Sequence, residues 1–193
     1  MRTFLITVVL LLAVSFLAIM APAAAAQSIT GLEIAANYTY VHSNAPPGGC
    51  GCFSFNGGGG SAAWHFNSNF AVVGDFAVVH ANNYDASGFS PTITLYLFGP
   101  RFTYPIAEGR FIPFAQVLAG GAHASGGYFP SGIASSTSAN AFALTAGGGL
   151  DIAIVKHISL RAAQVEYFYT GFPNGVNGRQ NNLRVSAGLV FHF

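Results

Sequence analysis

The sequence predicts an all-β chain: eight antiparallel strands closed into an up-and-down transmembrane β-barrel. Three observations carry that prediction. The first is the stretch Leu183 to Phe193, where Leu183, Val185, Ala187, Leu189, Phe191 and Phe193 share one face of an extended strand. Arg184, Ser186, Gly188, Val190 and His192 share the other. A strand that is apolar and aromatic on one side and mostly polar on the other fits oil outside and a packed polar interior. The second is composition, since the chain is 52% hydrophobic but only 7% charged, far below the roughly 25% charged residues of a soluble domain. The third is rhythm: strand-like segments are joined by short and long connections in alternation, as in barrels that cross a membrane.

The N-terminus predicts export. Arg2 precedes an almost unbroken apolar run from Phe4 to Met20, followed by Ala21-Pro22 and four alanines. Cleavage after Ala24-Ala25-Ala26 makes residues 1–26 a signal peptide and leaves 27–193 as one barrel domain. A retained anchor is the alternative, as the run is nearly long enough to span a bilayer. Small residues at its exit, and no basic stop-transfer cluster after it, favour cleavage. No Cys stands there to take a lipid anchor. Arg2 leaves with the signal peptide, so six basic and six acidic side chains remain. A zero balance gives no reason to expect nucleic acid as a partner. No apolar stretch after Ala26 approaches the ~20 residues of a spanning helix. A spanning protein without such helices must close its sheet, because open edges cannot be satisfied in lipid.

The strands are expected near 30–42, 55–66, 69–80, 91–104, 110–123, 139–153, 157–170 and 182–193. In the first, Leu32, Ile34, Ala36, Tyr38 and Tyr40 oppose Glu33, Ala35, Asn37 and Thr39. Ser43 to Ser54 is a long Gly- and Pro-containing loop, and the second strand ends in Trp64 and Phe66 before the short turn Asn67-Ser68. The third sets Phe70, Val72, Gly74, Phe76 and Val78 against Asp75, although Ala71, Val73, Ala77 and Val79 crowd the charged side. After the loop Ala81 to Ser90, the fourth sets Tyr96, Phe98 and Phe102 against Arg101. Pro105 to Gly109 turns into the fifth strand, and Ala124 to Ser138 is read as a third long loop. The sixth opposes Phe142, Leu144, Ala146, Gly148 and Leu150 to Asp151. Ile154 to Lys156 turns into the seventh, where Arg161 has the wrong parity to share a face with Gln164 and Glu166. A bulge between Arg161 and Gln164, or a place for Arg161 at the rim, reconciles them. Gly171 to Asn181 is the last long loop. Tyr38, Tyr40, Tyr167 and Tyr169 fall toward one end, and Trp64, Phe66, Phe70, Tyr104, Phe191 and Phe193 toward the other, as two interfacial belts would.

Several segments resemble the small outer-membrane β-barrel superfamily, related to the transmembrane part of OmpA and to OmpX. They are NYTYVH (Asn37 to His42), LFGPRFTYP (Leu97 to Pro105), GGGLDIAI (Gly147 to Ile154), QVEYFYTGF (Gln164 to Phe172) and the terminal NNLRVSAGLVFHF. The resemblance covers roughly Thr30 to Phe193. It implies a cell outer-membrane location, contact with outer-membrane lipid, short periplasmic turns and four exposed loops. It also implies that Ser186, Gly188, Phe191 and Phe193 form a C-terminal signal for the barrel assembly machinery. Such a fold specifies place more than activity.

The candidate functional residues are few. An eight-stranded interior is just wide enough for side chains, so Glu33, Asp75, Asp151 and Glu166 are expected to pair there with Arg101, Arg184 and Arg161. That network is either a plug or a gated polar path, and eight strands favour the plug. Cys50 and Cys52 allow a local loop disulfide or pairing with another molecule, whereas a metal site lacks further ligands nearby. His42, His80 and His123 fall near the outer ends of non-adjacent strands and are read as rim residues rather than metal ligands. Gly57 to Gly60 and Gly147 to Gly149 lack the helix and the Lys-Ser/Thr of a phosphate loop. No catalytic pair and no cofactor site is legible. The reading is therefore a structural or surface-interaction barrel without catalytic activity, its interior closed and its loop ligand unidentified. A small-solute porin-like channel is the alternative, and a lipid-modifying enzyme comes after it.

Overall fold

A computed structural model of the chain describes residues 30–43, 53–82, 89–131, 134–174 and 177–193. The expected signal peptide and both cysteines lie outside the described residues. Eight strands follow one another: β1 Gly31–Ser43, β2 Phe53–His65, β3 Phe70–His80, β4 Thr92–Thr103, β5 Phe111–Ser131, β6 Ala134–Val155, β7 Ile158–Thr170 and β8 Gln180–His192. Each pairs antiparallel with the next, and β1 pairs with β8, so the sheet closes on itself. Closure leaves no edge to satisfy in oil.

Side chains alternate across the wall as the pleat requires. Tyr38, Trp64, Phe76, Phe98 and Phe142 are exposed outside, while Glu33, Arg101, Arg161, Glu166 and Arg184 are buried within. In β8 the apolar face runs outward and Arg184 and Ser186 run inward. The seam between first and last strands is stitched from inside. Thr39 and Ser186 hydroxyls meet at 3.1 Å, and Ser43 donates to Asn182 Oδ1 at 2.7 Å. Gly188 lies opposite Asn37 in this seam. A Cβ there would strike the Ala36 carbonyl oxygen and Asn37, so the seam closes at this distance only over a glycine.

Three details refine the reading. The sheet carries the irregularity expected between Arg161 and Gln164, with Ala162 and Ala163 both exposed. Both Arg161 and Gln164 consequently point inward. The segment Ala124 to Ser138, expected as an irregular loop, instead continues β5 and β6 as a hairpin paired out to Ser131 and Ala134. A bulge interrupts it between Ser125 and Phe129, where Gly126 takes a φ of 72°. The interior is also not polar throughout. Its half nearer the long connections is filled by Val41, Phe55, Val79, Leu95, Leu118 and Phe168.

Candidate functional site in the barrel interior

The interior has two storeys. Toward the short turns lies a charged layer built from side chains of all eight strands. Glu33 on β1 is its centre. Arg101 of β4 donates to Glu33 Oε1 from Nη1 at 2.6 Å, and Arg161 of β7 donates to the same oxygen from Nη2 at 3.1 Å. His65 of β2 donates from Nε2 to the other oxygen at 2.9 Å, since an ionised carboxylate only accepts. Arg161 also grips Asp151 with two bonds, Nε to Oδ1 and Nη2 to Oδ2, each 2.8 Å. That forked geometry is the strong form of a guanidinium–carboxylate pair.

The chain of contacts then climbs. Arg101 Nε donates to Gln116 Oε1 at 2.8 Å, and Gln116 Nε2 donates to Glu166 Oε1 at 2.8 Å. Arg184 lies beside Glu166 at 3.5 Å and reaches Asp75 at 2.9 Å. All seven charged residues named from the sequence are buried and placed in this layer. The Phe114 ring lies beside both Arg101 and Arg161, with guanidinium carbons 4.6 and 4.7 Å from its centroid. Each cation thereby gains an aromatic ring as well as its carboxylate. Four carboxylates meet three guanidiniums, and the His65 donor completes the set. Buried charges need this density of partners, because an ion left alone there is strongly destabilising.

Arg184 is held more loosely than Arg161. Its Nε and Nη1 take part in no hydrogen bond among the described residues, nor does Glu166 Oε2.

Above this layer the apolar storey closes the bore. Phe168 and Val41 are fully buried, and Phe172 packs against Phe129 with ring centroids 5.6 Å apart. Phe53, Ala139 and Ala141 pack onto the same cluster from the strand ends. Sequence reasoning missed this layer, as well as His65, Gln116 and Phe114. The signal for the polar pair was parity: His65 aligns with Ser61 and Ala63, and Gln116 with Leu118, on inward faces.

The remaining candidates sit apart. His80 bonds Thr92 Oγ1 and Asn82 Oδ1, and His123 bonds Asn140 Oδ1, each on the outer surface. His42 is half-buried on the outward face of β1. Among the described residues no three His, Cys, Asp or Glu side chains gather as a metal site. Ser186 and Gly188 are in the seam, Phe191 is half-buried, and Phe193 is 72% exposed, its N–H donating to Leu32 O at 2.9 Å. Besides His80–Thr92, a second hydroxyl–imidazole contact occurs among the described residues that sequence reasoning did not find. Ser159 Oγ and His192 Nε2 are 3.0 Å apart at the short-turn rim. Ser159 is fully buried, and no carboxylate bonds His192 among the described residues, so the pair has neither an accessible nucleophile nor an oriented base.

Three solved structures share this architecture. Neisserial surface protein A superposes with a TM-score of 0.67 at 17% identity, covering 85% of this chain and 98% of that one. Ail, the attachment invasion locus protein of Yersinia pestis, gives 0.52 at 20% identity, covering 84% and 100%. The outer membrane protein OprG of Pseudomonas aeruginosa gives 0.52 at 13% identity, covering 88% and 100%. These are likenesses of fold. No curated protein matches the chain in sequence. Residues 9–191 match the family described as outer membrane protein beta-barrel domain, and the chain belongs to that family.

Proposed function

We propose that this chain is a closed, non-catalytic barrel that holds its long connections at the cell surface, where they contact the environment or neighbouring envelope components. The observation that carries the reading is the double filling of the bore, by an ion-paired charged layer below and an apolar layer above. Either layer alone removes the polar path that a hydrated ion or solute needs. The exported chain is taken to lose residues 1–26, and Ser186, Gly188, Phe191 and Phe193 to guide its last strand into the barrel assembly machinery. Short turns then face the periplasm. In planar bilayers the folded protein is expected to give no conductance above the bare membrane. Reproducible single-channel steps would sink the closed reading and restore the small-solute channel.

Orientation has its own test, built on the scarcity of cleavage sites. Of the six basic side chains after residue 26, Arg101, Arg161 and Arg184 are sealed inside the barrel. Arg110 and Lys156 lie at short turns, whereas exposed Arg179 lies in the last long connection. Trypsin added to intact cells should therefore cut after Arg179 alone, and after Arg110 or Lys156 only once the outer membrane is permeabilised. Cleavage at Lys156 in intact cells would invert the assignment of the two ends.

A further inference from the structure

Most strand glycines here are explained by the neighbouring strand. A Cβ built on Gly57, Gly99, Gly120 or Gly147 runs into an adjacent backbone carbonyl oxygen. Two described strand glycines are not so explained: a Cβ on Gly58 makes only an ordinary contact of 3.6 Å with Asn37 O, and one on Gly74, in the middle of β3, meets nothing within 4 Å. The Gly74 backbone is also outside the left-handed region. A mid-strand glycine weakens a strand, and where neither shape nor packing within the protein demands it, close approach by something else is the remaining reason.

Gly74 lies on the outer face. Pairing places Ile34, Ala62, Gly74 and Phe98 in one row across four strands, with Gly60 and Phe76 in the next. The small residues Gly60, Ala62 and Gly74 open a groove of about 590 Å³, walled by Ile34 on one side and by Phe76, Tyr96 and Phe98 on the other. The groove belongs to the wall that faces lipid, so its occupant comes from the hydrocarbon. A second barrel is a poor fit, because two convex walls touch along a line and leave a notch empty. A single flexible hydrocarbon chain follows such a notch.

We propose that this groove binds one acyl chain of an outer-membrane lipid in a fixed position. The proposal rests on the membrane location that the family gives. It is tested in phosphatidylethanolamine vesicles containing a fraction of the same lipid with a photoreactive diazirine on one acyl chain. After illumination, labelled residues are mapped by peptide mass spectrometry. Label is expected at Ile34, Ala62 and Phe98 in several-fold excess over equally outward Phe142 and Leu183. Gly74→Leu should abolish the excess while leaving Phe142 labelled, and Gly74→Ala should reduce it partly. A Cβ at position 74 meets nothing within 4 Å and the leucine side chain extends into the groove, and retained migration of unheated protein in a detergent gel checks that the variants fold. Even labelling around the barrel, or an excess indifferent to Gly74→Leu, would overturn the acyl-chain site. Groove residues left unlabelled while Phe142 and Leu183 are labelled would overturn it too, as a groove covered by a second copy of this chain would give. Absence of label at every outward residue would instead strike at the membrane location itself.

Discussion

Replacing Arg161 by Met is expected to destabilise the barrel by about 3–5 kcal/mol, the usual result of stranding a buried charge. Asp151 is 2% exposed and receives both of its side-chain hydrogen bonds from Arg161. In Arg161→Met it is left ionised and unpaired in the bore. Glu33 suffers less, because Arg101 and His65 remain on it. The measurement is equilibrium unfolding in urea of protein folded in detergent micelles. Trp64 supplies the signal, as the chain contains one tryptophan. Arg161→Met combined with Asp151→Leu should recover most of the loss, since an apolar pair often replaces a buried ion pair at little net penalty. Arg184→Met is expected to be milder, because several polar atoms around Arg184 already lack hydrogen bonds. A loss below about 1 kcal/mol in Arg161→Met would mean that water reaches Asp151, and the interior would then not be a dry plug.

The second large effect belongs to the apolar storey. Phe168 is fully buried within it, and Phe168→Ala is expected to cost about 3–5 kcal/mol through lost burial and an unfilled cavity. Phe142 is an outward counterpart on the neighbouring strand, 55% exposed. Phe142→Ala should be nearly neutral in the micelle, because detergent tails refill the space with equally apolar contacts, as lipid tails do in a bilayer. The same unfolding measurement checks the pair. A larger loss for Phe142 than for Phe168 would mean that the faces of β6 and β7 are exchanged. Phe168→Ala should still give no conductance, as the charged layer beneath it is untouched.

The two predictions also separate what could be read in the chain from what could not. Charged strand residues were legible because each contrasts with an apolar neighbour of opposite parity, as Arg101 does with Phe102 and Asp75 with Phe76. The Arg161 bulge was legible for the same reason, since its parity conflicts with Glu166. The apolar storey was not. On β3, Ala71, Val73, Ala77 and Val79 share the face that Asp75 marks and alternate with Val72, Phe76 and Val78. Parity puts that set inside, but only closure shows that it meets its like from other strands as a separate layer. The β5–β6 hairpin was hidden differently. Its Gly- and Ser-rich residues favour turns locally, yet serine and glycine extend readily once a partner strand offers a ladder. Neutral polar residues such as Gln116 gave no signal of their own, because a glutamine suits a solvated rim as well as a buried network.

The position of Glu33 governs how such a barrel can be put together. Glu33 stands in the first strand, and its partners are 32, 68 and 128 residues away. The Arg184–Asp75 contact spans 109 residues. Only the His65 bond falls within a hairpin, β1–β2, and the others join distant strands, so a half-built sheet exposes ionised groups that cannot enter hydrocarbon. Only the sealed cylinder hides them. Passage into the bilayer and completion of the cylinder are thereby coupled into one all-or-none event. An open sheet is therefore expected to stay out of the hydrocarbon until β8 arrives.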